Sequence, residues 1–419
     1  MRDQTQGAAE DFGTALAQKG TNQAGMRARN ERLVLSLVRR GGPLAKSDIA
    51  RLTGLSAQTV SVIMRKLEAD RLLKRGEPQR GRVGQPSVPL ALDPEGAFFL
   101  GAKIGRRSLD VVLVDFAGAI RGRITRGYAY PSPGETVASV AAAVGEFEAG
   151  LGPAATRIAG LGLAMPFALW SWAEELGTPA EEMDAWRHAD VRAELAALLP
   201  YPVYLQNDAT AACGAELTFG SAGGLQDFLY FHVGTFIGGG LVLNGGLFAG
   251  RTGNAAAVGS MPVQDGRGRP VQLIDVASLV VLERRLLAAG KPAAGLYDPD
   301  GDWSALGPDL DEWMAGAAGG IAQAIVAASA VVDIEAAIVD GPFPPAVLAR
   351  LLEEIERGMG VLDLSGLEPP QLRQGALGPI ARALGGASLP LFDRYLVEQH
   401  ALAGAAAGRG LEAAPLART

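Results

Sequence analysis

Two places in the chain carry residue types that can do chemistry. The first is the run YFHVGTFIGGGLVLNGGLFAGRTGNAAAVGSMPV, residues 230–263, one of the most glycine-dense stretches of the sequence. Glycine lets a backbone turn tightly and approach a ligand closely, which is how glycine-rich turns close on phosphate. A hairpin turn also uses glycine without any ligand, so Gly234, Thr235 and residues 238–240 admit both readings. The second place is YPVYLQND, residues 201–208, an apolar strand that delivers Asn207 and Asp208 at its C-terminal end, just ahead of helical ATAACGAEL. That pair can hold the hydroxyls of a ligand, or it can cap the helix next in the chain. The single cysteine, Cys213, and the separated histidines His188, His232 and His400 offer neither a disulfide framework nor paired metal ligands. No metal site and no cofactor are therefore expected.

The elements that would position these residues begin only after a different kind of sequence. Between Met26 and Leu90 there are 14 Lys and Arg against 5 Asp and Glu, a balance of +9, so the formal −7 of the whole leaves −16 for the remainder. A basic front on an acidic body points to a polyanionic partner for the front alone. Leu33, Leu37 and Val38 mark the inner face of a first helix that Gly41, Gly42 and Pro43 end. Lys46 to Thr53 makes a second with Ile49 and Leu52 inward, and Gly54 allows a sharp reversal. Ser56 caps a third helix whose apolar positions Val60, Ile63, Met64 and Leu67 keep the helical period. The outer face of that helix carries Gln58, Thr59, Ser61, Arg65 and Lys66. Short polar donors near its start suit base edges in a major groove, and the longer cations one turn later suit phosphates. KRGEPQRGRVGQPSVPLAL then reads as a wing with Arg80 and Arg82 at its tip. The expected module is a winged helix-turn-helix over residues 26–92, with Ser56, Gln58, Thr59, Ser61, Arg65, Lys66, Arg80 and Arg82 as its DNA-facing residues.

From Phe98 the pattern changes to strands and glycine turns. FFLGAKIGRRSLDVVLVDFAGAIRGRITRGY holds three extended segments, and DFLYFHVGTFIGGGLVLNGGLFAG repeats the arrangement some way downstream. Two such meanders, each followed by helical sequence, predict an internally duplicated α/β fold with a cleft between its halves. AGAAGGIAQAIVAASAVV, residues 315–332, is apolar, but its Ala, Gly and Gln content suits a buried helix better than a membrane span. The polar N-terminus carries no signal-peptide pattern, which together with the single cysteine predicts a cytoplasmic protein with no membrane partner.

Several short stretches then occur in a specific order: GTNQ at 20–23, GLGLAMP at 160–166, Ala185-Trp186 ahead of PVYLQNDA, VGTFIGGGLVLNG at 233–245 and GNAAAVGSMPV at 253–263. In that order and spacing, from Gly20 to about Tyr395, the sequence resembles the ROK family, in which sugar kinases and sugar-responsive repressors share one actin-like fold. The resemblance implies a flexible arm over 1–25, an actin-like effector-binding body of two lobes over 96–400 and a tail over 401–419. Asn207-Asp208 matches the element in which the family's Asp takes a proton from a sugar hydroxyl and its Asn holds a neighbouring one.

Other positions depart from the family's kinases. Their D-x-G-x-T pattern, whose acid and hydroxyl serve Mg-ATP, is matched by Lys103, Gly105 and Arg107. Their sugar-contacting Glu and zinc-ligating His are matched by Ala257 and Ser260, and QDGRGRPVQLID replaces the cysteine knuckle. Pro342 and Phe343 crowd the place of the glycines that pack on adenine. The expectation is a repressor, a homodimer or homotetramer on double-stranded operator DNA. Its body senses a small carbohydrate-like effector through Asn207, Asp208, Gly234 and Thr235 and does not phosphorylate it. The alternatives are an active sugar kinase with an accessory DNA-binding module, and a regulator that answers to a protein partner.

Overall fold

The computed structural model of the chain describes residues 23–78, 88–173, 178, 180–222, 224–298 and 301–397. The chain forms two compact units, one comprising residues 1–98, 115–119 and 391–419, the other 99–114 and 120–390.

In the first unit three helices, α1 (Gln23–Gly41), α2 (Lys46–Thr53) and α3 (Ala57–Ala69), precede the antiparallel pair β1 (Leu73–Arg75) and β2 (Leu90–Leu92). Gly54 ends α2 with φ 70°, a left-handed conformation that costs an L side chain about a kcal/mol or more. Ser56 caps α3 by accepting from the Thr59 N–H at 3.1 Å, and Val60, Ile63, Met64 and Leu67 are all buried, as the period predicts. The inner face of α1 differs from expectation: Val34, Leu35 and Val38 are buried, whereas Leu33 and Leu37 are only half-buried. The reason is a second surface packed on α1 from far along the chain. Ser36 Oγ accepts from the Val397 N–H at 3.1 Å, and Arg39 donates to the Phe116 carbonyl with its guanidinium 5.9 Å from that ring's centre. Phe116 in turn meets Tyr395 edge-on at 5.0 Å. Burial pushes Arg39 down to about 10, against the pull of Asp115.

The second unit contains two five-stranded sheets of matching order. One runs β5–β4–β3–β6–β7, built from β3 (Phe98–Ile104), β4 (Ser108–Asp115), β5 (Ile120–Gly127), β6 (Ile158–Ala164) and β7 (Val203–Gln206). The other runs β10–β9–β8–β13–β14, from β8 (Phe228–Val233), β9 (Ile237–Leu243), β10 (Gly246–Phe248), β13 (Ala336–Asp340) and β14 (Gln371–Gln374). In the second sheet β10, β9 and β8 form an antiparallel meander extended by parallel β13 and β14, and the first sheet has an antiparallel β5–β4 pair and a parallel β6–β7 pair at the same places in its order, so the duplication predicted from the repeated pattern is present in the topology. The antiparallel hairpin β11 (Pro262–Gln264) and β12 (Pro270–Gln272) lies in the chain between β10 and β13. The sheets are accompanied by helices that include α4 (Asp208–Phe219), α5 (Leu279–Ala288), α6 (Pro308–Val332), α7 (Pro345–Met359) and α8 (Ala381–Tyr395). Helix α6 is long and apolar enough by composition to cross a membrane, yet its Trp313, Met314, Ile321 and Ile325 sit in the core beneath the second sheet. Helix α8 lies directly on the first sheet: a Cβ at Gly162 would fall 2.0 Å from the Gly386 carbonyl oxygen, so only glycine fits there.

Candidate functional site

The triple glycine of the glycine-dense run does not form a turn. Gly238, Gly239 and Gly240 belong to β9, where a Cβ at Gly238 would meet the Ala209 methyl at 2.7 Å and one at Gly240 would meet Cys213 at 2.3 Å. Their smallness lets α4 press against the strand, which is the packing reading of the run. The connection itself is Gly234-Thr235-Phe236, whose first two carbonyls accept the Leu279 and Val280 N–H groups at the start of α5. The glycines let α4 pack closely on β9, and α4 begins at the candidate site.

Asn207 is the N-cap of α4, its Oδ1 accepting from the N–H groups of Ala209 and Thr210 at 3.1 and 3.2 Å. Capping occupies the carbonyl and leaves the amide NH2 to meet a ligand. Asp208 is the first residue of the helix and does not cap it. Its Oδ2 instead receives Arg382 Nη1 of α8 at 3.3 Å. Asn207, Asp208 and Thr235 line one cavity of about 220 Å³ together with Arg106, His232 and Arg382. Gly234 is not among its lining residues, while Ala257 and Ser260 are. A second cavity of about 220 Å³, lined by Phe167, Trp170, Trp186 and Leu205 among others, offers aromatic faces.

The wall beside the first cavity is cationic. Lys103 is buried and donates to Asp110 Oδ2 at 3.0 Å and Ser108 Oγ at 2.9 Å. Burial, reinforced by Arg382, lowers the Lys103 ammonium to about 8 against the opposing pull of Asp110. Burial also resists charge on Asp110, but Lys103, Arg123 and Thr125 outweigh it and hold the carboxyl below the usual carboxylate range. Arg106 and Arg107 both reach Glu283 of α5, the first at 3.1 Å, and Tyr297 donates to the same carboxylate at 2.6 Å. Arg107 also lies 4.6 Å from the centre of the Tyr297 ring. Of the residues expected from the sequence the cavity gathers Asn207, Asp208 and Thr235; Arg106, His232 and Arg382, and Glu283 bonded to Arg106, were not anticipated. Arg382 lies 174 residues from Asp208, and no local period marks such a partner.

Phe343 is buried with its ring 5.7 Å from that of Trp303 and 6.2 Å from that of Trp313. At the hairpin that replaces the cysteine knuckle, Asp265 accepts from the N–H groups of Arg267 and Arg269, both at 2.9 Å, and from Arg269 Nε at 2.8 Å. Those bonds hold its carboxyl down to about 2. Among the described residues no cluster of three metal-ligating side chains occurs. Because the turn is closed by an Asp–Arg clasp, chelators are expected to leave the unfolding temperature unchanged. Stoichiometric zinc by elemental analysis would contradict this.

On the first unit, Gln58, Arg65 and Lys66 are exposed on α3, with Thr59 and Ser61 half-exposed. Ser56 Oγ is engaged with Thr59, and Lys66 Nζ is held by Glu31 at 2.6 Å and Asp70 at 3.7 Å. Arg80 and Arg82 lie outside the described residues. Val62, not anticipated, is 40% exposed on the same helix and has the right character to meet a thymine methyl.

The family model described as the ROK family matches residues 99–272, and that described as the MarR family matches residues 27–82. The chain carries a ROK-family domain behind a MarR-type winged helix. A protein of Sinorhizobium fredii, the uncharacterised y4fQ, is 27% identical over 378 residues, 90% of this chain and 94% of that one. The xylose repressor of Bacillus subtilis is 23% identical over 234 residues, 56% of this chain, and the match spans 60% of the repressor's length. A crystal structure of a ROK family transcriptional regulator, a homolog of the E. coli MLC protein, superposes with a TM-score of 0.64 at 19% identity. It covers 91% of this chain and 98% of that one. A ROK family glucokinase from Streptomyces griseus, solved with glucose and AMPPNP, gives 0.54 at 23% identity over 70% of this chain and 99% of that one. The ROK fold is thus common to regulators and kinases, and the residues of the site must decide between them.

Proposed function

We propose that this protein is a DNA-binding transcriptional regulator, of the repressor kind, whose ROK domain senses a small carbohydrate-type ligand and does not phosphorylate it. The observation that carries the reading is the pairing of a winged helix, with Gln58, Val62 and Arg65 exposed on α3, with a ROK domain. A xylose repressor and a transcriptional regulator among its relatives support it. The loss of catalysis is supported by the first hairpin. Where the kinase pattern has an acid and a hydroxyl for the metal-bound phosphates, Lys103 is locked onto Asp110 and Arg107 onto Glu283. Two cations there leave no oxygen ligand for Mg²⁺ on that strand. Phe343, buried against two tryptophans, supports the absence of an adenine slot in the same way.

Helix α8 offers a covalent route from ligand to DNA. Arg382 near its start lines the cavity, and from Leu391 onward the same helix belongs to the unit that holds α3.

The test uses the full chain. DNA enriched from a random library is expected to contain a pseudo-palindrome with half-sites about one helical turn, ~34 Å, apart. Gln58→Ala and Arg65→Ala are expected to weaken its binding. A coupled assay over a panel of sugars should show no sugar-dependent ATP consumption. Turnover with any sugar would favour the kinase instead.

A further inference from the structure

The body of this protein is acidic, yet the side chains lining its cavity include two cations, Arg106 and Arg382. Outside the lining, Lys103 and Arg123 pair with Asp110 and Arg107 shares Glu283 with Arg106, while Arg382 pairs with Asp208. Asp340 stands on the far side of Tyr230, which donates to it at 3.0 Å, and burial raises its carboxyl to about 6, so near neutral pH it is mostly ionised.

Two of the groups lining the cavity are also short of partners. Arg382 makes one contact with Asp208 at 3.3 Å, at the long end for a charge-assisted bond, and its buried Nε has no hydrogen-bond partner among the described residues. A guanidinium presents five donors in a planar fork, so one such contact leaves most of it unsatisfied. His232 is 2% exposed, and its Nε2 is likewise buried without a partner. Burial, followed by the charges of Arg382 and Lys103, lowers its pKa well below the ordinary histidine value, so the ring is neutral. The charges it feels most strongly are thus positive. If Arg382 served only to neutralise Asp208, the pair would be closer and the remaining donors would be bonded to protein.

We propose that the cavity binds a polyhydroxylated anion, a single sugar unit bearing a carboxylate or phosphate, with the anionic group on Arg382 and hydroxyls on Asn207, Asp208 and His232. This rests on the sensing role assigned to the cleft and names the ligand's chemical class. A cavity of about 220 Å³, below the roughly 300–1,000 Å³ of pockets for larger organic ligands, has room for a single sugar ring. The planar fork of Arg382 matches both carboxylate and phosphate oxygens. The amide NH2 left over from the Asn207 cap donates to a hydroxyl, and the neutral His232 can accept from one or donate to one.

The experiment is calorimetric titration of the full-length protein with matched series: glucose, glucuronate and glucose 6-phosphate, then galactose, galacturonate and galactose 6-phosphate. At least one anion is expected to bind ten- to a hundredfold more tightly than its neutral parent. Comparison of the two anionic arms tells a carboxylate ligand from a phosphate one. Arg382→Gln should remove the preference, while Arg382→Lys, which keeps the charge but not the fork, should retain part of it. The wild-type comparison stands even where a variant folds poorly. A neutral sugar that binds as tightly as both of its anions, or no anion bound at millimolar concentration, overturns the proposal. Operator binding measured on the same preparation reports separately on the regulator: its loss would overturn that reading and leave the charge preference as measured.

Discussion

Operator affinity is expected to fall by roughly a thousandfold between about 50 and 200 mM salt, as for a protein making about six phosphate contacts across two copies. The basic front, +9 between Met26 and Leu90, must displace counterions from DNA, and the acidic remainder contributes nothing favourable at a phosphate surface. The structure refines which cations matter. Lys66 is already held by Glu31 at 2.6 Å, so its charge is partly used within the unit. Arg65 is exposed, and among the described residues its one partner is the Ser61 carbonyl, at 3.2 Å. Arg65→Ala should therefore reduce the slope of log affinity against log salt by about one per copy, and Lys66→Ala by less. Gln58→Ala should leave the slope alone and change sequence preference, since an amide reads base edges. A flat salt response, or equal slopes for the two cation variants, would show that α3 does not meet the phosphates in this way. Fluorescence anisotropy at several ionic strengths supplies the measurement.

The winged helix could be read from sequence because its signals are local. Gly54 and Ser56 fix the turn and the cap within three residues, and the four apolar positions of α3 repeat at the helical period. The two sheets were legible for a related reason: a meander is three extended segments joined by short turns, and the same pattern occurs twice. Helix α1 was misread in part because its buried face is set by Phe116 and Val397, which no window on α1 contains. The same limit applies to the site. Asn207 and Asp208 stand at a strand end where polar residues are conspicuous, but Arg382 and Glu283 sit on helices and reach across about 175 residues to their partners. Residues 238–240 looked like a turn from composition, and only the close approach of Ala209 to Gly238, Cys213 to Gly240, and Tyr230 and Val258 to Gly239 shows why a strand would need three glycines in a row.

The buried pair on the first hairpin should be strongly asymmetric to mutation. Asp110→Ala is expected to destabilise the protein by about 3–5 kcal/mol, the usual cost of leaving a buried charge without its partner. Lys103 would then be enclosed near Arg123 and Arg382, with only the Ser108 carbonyl and hydroxyl as acceptors, at 3.2 and 2.9 Å. Lys103→Met should cost less, about 1–2 kcal/mol, because Asp110 keeps Arg123 and Thr125, each at 2.7 Å. The pH dependence separates a lost charge partner from simple loss of packing. Lys103 has a folded-state pKa of about 8 against 10.5 for the free side chain, so between those values the unfolded chain binds more protons and stability rises with pH. In Asp110→Ala the folded pKa falls further, so the rise begins at lower pH and the deficit relative to wild type narrows from neutral pH toward pH 9. In Lys103→Met that contribution is gone altogether. Denaturant unfolding of the three proteins at several pH values tests both statements. A larger cost for Lys103→Met than for Asp110→Ala would mean that the lysine, and not the aspartate, is the group the hairpin depends on. It would also count against a cation held by Asp110 at the position where a kinase needs an acid.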